Sequence, residues 1–369
     1  MTTDILYYKP SAVRNSCGED FLGTELLSCF FLLYNAGAVP IDRTNTIQTP
    51  IRVKSVFPVP TMRLMTKTFE EICNERAVYI LNQSDKHSCD IYVMWSGGID
   101  STLALISLLK NAKKNHIGRI VAVMSDASIQ ENPNFFRDHI QGKLRMQTRT
   151  VIPFLIGNKS LLVSGEHNDQ LFGSDMMAKL ISRYGADFIH APYSRESLSA
   201  YYKSAIGGRA ADHYLDLFER LVHSAPIHIQ SNFEFTWWVN FSLKWQTVYM
   251  RMLTFASSRN PDIITDGEYV REYYFPFYNT EDFQLWSLNN LDKRIKDTWK
   301  SYKWVCKDII YEYTKDADYR DNKLKKGSLS SFFRVNDSYK FLDSDFKLHR
   351  ELDLSKYYNP KNDFFWSKE

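Results

Sequence analysis

The sequence has no apolar run of the length a membrane helix needs, about 18 residues. Its longest, Leu26 to Tyr34, is nine residues and includes Ser28 and Cys29. No membrane partner is therefore expected. Met1-Thr2-Thr3-Asp4 is not a basic segment followed by an apolar one, so no secretory signal is expected either. Cysteine is scarce: Cys17, Cys29, Cys73, Cys89 and Cys306 are odd in number, far apart and form no Cys-x-x-Cys pair. That pattern speaks against a disulfide framework or a structural zinc site and for a reducing, cytoplasmic setting. An excess of one charge is also missing. Lysine and arginine total 46 against 43 acidic residues, a net of +3, which neither demands nor excludes nucleic acid. Internal repeats and low-complexity tracts are absent.

What is present is an ordinary globular composition, 44% apolar and 24% charged, in a chain of 369 residues. At roughly 100–200 residues per domain, about two domains are expected. Prolines 10, 40, 50, 58 and 60 make the first stretch irregular. Phe69, Ile72, Cys73, Ala77, Ile80 and Leu81 then recur at helical spacing. Ile91–Trp95, Ile120–Met124 and Leu161–Val163 are short continuous apolar runs, the pattern of strands buried on both faces of a parallel sheet. Ser101 to Lys114 and Asp169 to Ser182 read as intervening helices. The alternation predicts right-handed βαβ units and a doubly wound parallel α/β sheet. Arg209 to His223, Phe233 to Phe255 and Lys293 to Thr314 predict a helical C-terminal half. The expected division is an N-terminal region over 1–68 and a catalytic domain over 69–369, with a nucleotide core at about 85–195 and a helical part at about 196–330.

The sharpest local feature is Ser96-Gly97-Gly98-Ile99-Asp100-Ser101-Thr102, between a predicted strand and a predicted helix. Gly97 and Gly98 lack a Cβ and let a backbone approach a polyanion. A helix N-terminus offers N–H groups and a dipole suited to phosphate. Ser96, Ser101 and Thr102 add hydroxyl donors. Asp100 would repel phosphate, and makes sense if it holds Mg²⁺. The run is not the Gly-x-x-x-x-Gly-Lys-Ser/Thr loop. It resembles the Ser-Gly-Gly-x-Asp-Ser loop of the PP-loop ATP pyrophosphatases, which split ATP into AMP and pyrophosphate and form an adenylated intermediate.

A second loop, Ser164-Gly165-Glu166-His167-Asn168-Asp169-Gln170-Leu171-Phe172-Gly173, follows the third apolar run. Ligands of open α/β sheets sit at the carboxyl ends of strands, so both loops should face one crevice. Alone, the stretch reads as a helix N-terminus capped by Asp169. Together with the first loop it resembles the synthetase domain of asparagine synthetase, which carries Ser-Gly-Glu/Asp-Gly-x-Asp-Glu-x-Phe-Gly-Gly here, and the related β-lactam synthetase. The resemblance covers about Phe69 to Gly327. It implies a PP-loop fold, ATP and Mg²⁺, AMP contacts at Gly165 and Glu166, an adenine pocket lined by Met94 and Met124, and metal ligation by Asp100 and Asp169. His167 departs from the family's glycine, Gln170 from its Glu and Ser174 from its last glycine. His167 itself reads as structural or as a phosphate contact.

Glu272-Tyr273-Tyr274-Phe275-Pro276-Phe277 is similar to the family's Glu-Ala-Arg-x-Pro-Phe, matching at Glu272, Pro276 and Phe277. The resemblance makes Glu272 a base for the attacking amine; the plain reading is an acid beside a Pro-Phe turn. Arg320 to Gly327 resembles Arg-x-Lys-x-Gly, whose lysine stabilises adenylation, and offers both Lys323 and Lys325; the plain reading is a solvated basic loop. From Lys293 to Lys326 eleven basic residues face six acidic ones, which suits a solvated helix face as well as a nucleic-acid backbone. Trp237, Trp238 and Trp245 read as core. The family's glutaminase domain, with cysteine at position two, is expected to have no counterpart, since Thr2 stands there and only 90 residues precede the first predicted strand.

The expectation is an AMP-forming amide ligase joining a small-molecule carboxylate to an amine or ammonia. The competing readings are a PP-loop enzyme modifying a nucleobase in tRNA or DNA, and a nucleotide-binding protein without turnover.

Overall fold

A computed structural model describes residues 4–9, 29–30, 33, 39–47, 49, 51, 53–259, 263–323, 339–353 and 356–357. The strands are β1 (Ile5–Tyr8), β2 (Ile91–Met94), β3 (Ile120–Met124), β4 (Arg145–Thr148), β5 (Leu161–Ser164), β6 (Tyr274–Pro276), β7 (Phe341–Asp343) and β8 (Leu348–His349). The helices used below are α1 (Phe69–His87), α2 (Ile99–Asn111), α3 (Asn168–Phe172), α4 (Asp175–Tyr184), α5 (Asn232–Leu243), α6 (Trp245–Leu253), α7 (Trp304–Thr314) and α8 (Ala317–Asn322). Among the described residues, no helix is long and apolar enough to cross a membrane.

Contacts divide the chain into two units, neither of which is continuous in sequence. One comprises the described residues of Met1–Met62, Asp169–Thr254 and Tyr339–Glu369; the other those of Arg63–Asn168 and Phe255–Ser338. The units part at Met62–Arg63, near the expected boundary at residue 68, and the chain also leaves the second unit at Asn168 and re-enters it at Phe255.

The second unit holds a five-stranded sheet in the order β4-β3-β2-β5-β6, every pair parallel. The chain moves outward from β2 through β3 to β4, then returns to lay β5 on the other side of β2. The topological switch point therefore lies between β2 and β5, the place where open α/β sheets bind ligands. Strand β3 is buried at all five positions, as its apolar run requires. Helix α1 starts from a capping box. There Thr68 Oγ1 accepts from Glu71 N at 3.2 Å, and Glu71 Oε2 accepts from Thr68 N at 2.7 Å. Its predicted stripe, Phe69, Ile72, Cys73, Ala77, Ile80 and Leu81, is buried. Two strands, β4 and β6, form the edges. Strand β4 is exposed at all four residues and so lacks the apolar signature of its neighbours. Strand β6 ends in Pro276, which an edge tolerates because no further strand needs its missing N–H.

The first unit joins β1 to β7 and β7 to β8 in a small antiparallel sheet, so the irregular N-terminal stretch does contribute a strand. Its helical core is built on α5, where every residue but Glu234 is buried. A helix apolar all round belongs inside a core. Trp237, Trp238 and Trp245 are all fully buried. Trp237 Nε1 donates to Gln170 O at 3.0 Å and Trp238 Nε1 to Leu221 O at 2.8 Å. Three predicted helices are interrupted. The helix predicted over Asp169–Ser182 breaks at Gly173-Ser174, where Ser174 caps α4. The helix predicted over Phe233–Phe255 breaks at Lys244. The helix predicted over Lys293–Thr314 is helical only from Trp304, after two short 3-10 turns.

Candidate active site

The loop after β2 and the loop after β5 meet at the switch point. Gly98 begins α2 and, lacking a side chain, leaves the first-turn N–H groups without a side-chain cap. Gly165 presses its backbone onto that turn: a Cβ there would lie 2.8 Å from Ser101 N and 3.0 Å from the Asp100 carbonyl carbon. Gly97 has φ +76°, and a Cβ on it would stand 2.3 Å from Ser128 O. Its glycine requirement comes from the helix Asp126–Glu131 packed beneath it. Met94 and Met124 end β2 and β3 and are buried. Glu166, beside Gly165, is half-buried.

The hydroxyls bond within the loop and to the core beside it. Ser101 Oγ accepts from Ser96 N and lies 2.9 Å from Ser96 Oγ, and Ser96 Oγ accepts from Gly98 N at 3.2 Å. These bonds hold the loop's shape. Thr102 is fully buried, its Oγ1 accepting from Trp95 Nε1 at 3.1 Å.

His167 adopts φ +77° with its side chain buried. Left-handed backbone is what glycine serves, so a histidine there is strained. Ser164 Oγ and Asn168 Oδ1 are buried with no hydrogen-bond partner among the described residues. Orphaned buried polar atoms at the end of a strand are what a ligand or water would satisfy.

Asp100 is held by a residue that sequence reasoning missed. Lys303 Nζ lies 2.6 and 2.7 Å from its two carboxylate oxygens, and Asn168 Nδ2 donates to Oδ1 at 2.6 Å. The Lys303 side chain is 1% exposed. Tyr278 OH donates to Asp100 O at 2.8 Å, and Tyr319 OH to Gly97 O at 3.2 Å. Cys306 Sγ lies 3.6 Å from Asn168 Nδ2. Burial pushes its thiol up to about 12, so it is no nucleophile.

Lys323 reaches the same loop from the end of α8. Its ammonium pairs with the buried Glu131, whose Cβ would stand 2.8 Å from a Cβ added to Gly97. Lys325 lies outside the described residues. Lys307 Nζ donates to Lys300 O at 2.5 Å and to Lys323 O at 2.7 Å, and burial lowers it to about 8.

Asp169 directly follows Asn168, whose amide bonds Asp100, and is the first residue that contacts assign to the other unit. Another expected member lies elsewhere. Glu272 precedes β6, bound by Lys86 Nζ at 2.6 Å and lying 3.1 Å from His87 Nε2. Both partners end α1, which leads into the start of β2, so Glu272 sits at the amino-terminal edge of the sheet. The loops leave from the opposite edge. The Pro276–Phe277 end of the same motif does reach that edge, where Phe277 N donates to Ser164 O at 2.8 Å.

The magnesium implied by the resemblance does not fit Asp100 as it stands. Both carboxylate oxygens are taken by an ammonium, one of them also by an amide. No group of three His, Cys, Asp or Glu side chains suited to a metal occurs among the described residues. No signal in the sequence marks Lys303: it falls inside a stretch of helical periodicity, 203 positions from its partner. No protein-family model matches the chain, and no curated protein does.

Proposed function

We propose that the chain is an ATP-dependent, AMP-forming amide ligase of the kind its two loops resemble. The observation that carries this reading is the convergence at the β2–β5 switch point. Gly165 abuts the N-terminal turn of α2, and two buried ammonium groups, Lys303 and Lys323, are held against the same loop.

In this reading a carboxylate oxygen of a small-molecule substrate attacks the α-phosphorus of ATP. The bond to the β-phosphate oxygen breaks, pyrophosphate leaves, and an acyl-adenylate remains. The α2 turn and the Gly97–Gly98 backbone receive phosphate oxygens. Lys303 and Lys323, each paired with an acid, place fixed ammonium N–H groups beside the loop where negative charge develops. An amine or ammonia then attacks the acyl carbon, AMP departs, and the amine proton goes to a base other than Glu272, which stands at the far edge of the sheet. Pure protein, given ATP labelled at the α-phosphate and a panel of carboxylates and amines, is expected to yield labelled AMP and free pyrophosphate. Labelled ADP with inorganic phosphate would refute the reaction class.

A further inference from the structure

We propose that Lys303 is the resident cation of Asp100, and that its ammonium and a divalent metal ion occupy that carboxylate in mutual exclusion. The ammonium is set in place rather than drifting there. Lys303 stands just before α7 with φ +59°. A lysine adopts that left-handed conformation only when its surroundings enforce it. Its backbone nitrogen donates to Arg294 O at 2.9 Å and its carbonyl accepts from Lys307 N at 3.1 Å, so both flanks are pinned. The side chain runs through the interior and ends across both oxygens of Asp100.

A divalent ion such as Mg²⁺ demands oxygen ligands at about 2.0–2.1 Å in near-octahedral array. Lys303 Nζ already bonds both Asp100 Oδ1 and Oδ2, and Asn168 Nδ2 also bonds Oδ1. A metal on those oxygens would have to displace that ammonium, whose side chain is 1% exposed against 24% for the carboxylate, and stripping a buried ammonium of its partner is costly. A second acid against this loop, the buried Glu131, is already paired with Lys323. Asp100 is thereby neutralised by the chain itself. A loop whose aspartate is already neutralised can accept a polyanion without a metal at that position.

The proposal shares Asp100 with the ligase reading but does not need turnover. Its test uses no nucleotide, so its failure leaves the ligase reading untouched, and the reverse holds. The full-length protein is titrated with Mn²⁺ alone, followed by electron paramagnetic resonance of the free ion, and its melting temperature is recorded with and without millimolar Mg²⁺. Wild type and Asp100→Asn are expected to give indistinguishable titrations and no Mg²⁺-dependent shift. Lys303→Met is expected to gain an Mn²⁺ site on the order of tenfold or more tighter, and to melt higher when Mg²⁺ is added, since a ligand bound only by the folded state stabilises it. Adding Asp100→Asn to Lys303→Met should remove both effects. A wild-type Mn²⁺ site that Asp100→Asn abolishes overturns the proposal, as does a folded Lys303→Met that gains none. Should Lys303→Met fail to fold, the comparison of wild type with Asp100→Asn decides alone.

Discussion

The Gly165 backbone lies so close to Ser101 that a single added methyl group would stand 2.8 Å from the Ser101 nitrogen. The obstacle is backbone, which cannot swing aside as a side-chain end would. Gly165→Ala is therefore expected to cost about 1–3 kcal/mol, the usual range for overpacking. Gly118, where an added Cβ meets nothing within 4 Å, serves as the control. Gly118→Ala should stay within about 0.5 kcal/mol of wild type. Urea unfolding of both variants checks this; equal costs would mean that the two loops are not in tight apposition.

His167 should invert the usual ranking of alanine over glycine. Its backbone sits at φ +77°, where a Cβ is strained. His167→Gly is therefore expected to be more stable than His167→Ala by about 1 kcal/mol, both having lost the imidazole packing. Chemical denaturation of the pair measures the difference, and an Ala variant more stable than the Gly variant contradicts the left-handed assignment.

Glu272→Gln is expected to leave pyrophosphate release and amide formation unchanged. A fall on the order of 10²-fold in the amide step, typical of a lost general base, would return Glu272 to the chemistry. Its effect belongs instead to acid stability. Lys86 first, then His87, hold the Glu272 carboxyl below its ordinary range. A value lower in the folded than in the unfolded chain gives stability that is present above the unfolded carboxylate range. That stability is lost as pH falls through the folded value. Denaturant midpoints from neutral to acid pH should therefore converge for wild type and variant at the acid end; a gap that persists there would contradict the assignment.

Lys307 gives the opposite flank. Burial lowers it to about 8, so above that pH the unfolded chain holds a proton the folded chain has released. Stability then rises with pH from that value toward the ordinary lysine range. Lys307→Met should lack that rise, read as the slope of unfolding free energy against alkaline pH; parallel slopes would contradict the assignment.

The sequence was legible where burial was uniform. Strands β2, β3 and β5 are continuous apolar runs because both faces are covered, and the stripe of α1 shows its period because one face is. Strand β4 was illegible because all four of its residues are exposed, so no pattern of burial is written into Arg145–Thr148. The helix predicted through Lys244 breaks although apolar residues continue on both sides, and a periodicity cannot register a break it does not interrupt. In the candidate site, Gly97, Gly98 and Gly165 could be picked out because backbone approach needs glycine. Lys303 could not, because one long-range ammonium–carboxylate contact leaves no local trace.

The central claim is that a nucleoside triphosphate binds across the two loops at the switch point between β2 and β5. The most direct measurement is calorimetric titration of the full chain with the α,β-methylene analogue of ATP, in wild type, Gly165→Ala and Glu272→Gln. Wild type and Glu272→Gln are predicted to bind it with equal affinity, and Gly165→Ala to lose most of that affinity. Absence of binding to wild type at millimolar analogue, or binding that Gly165→Ala leaves unaltered, would contradict the account.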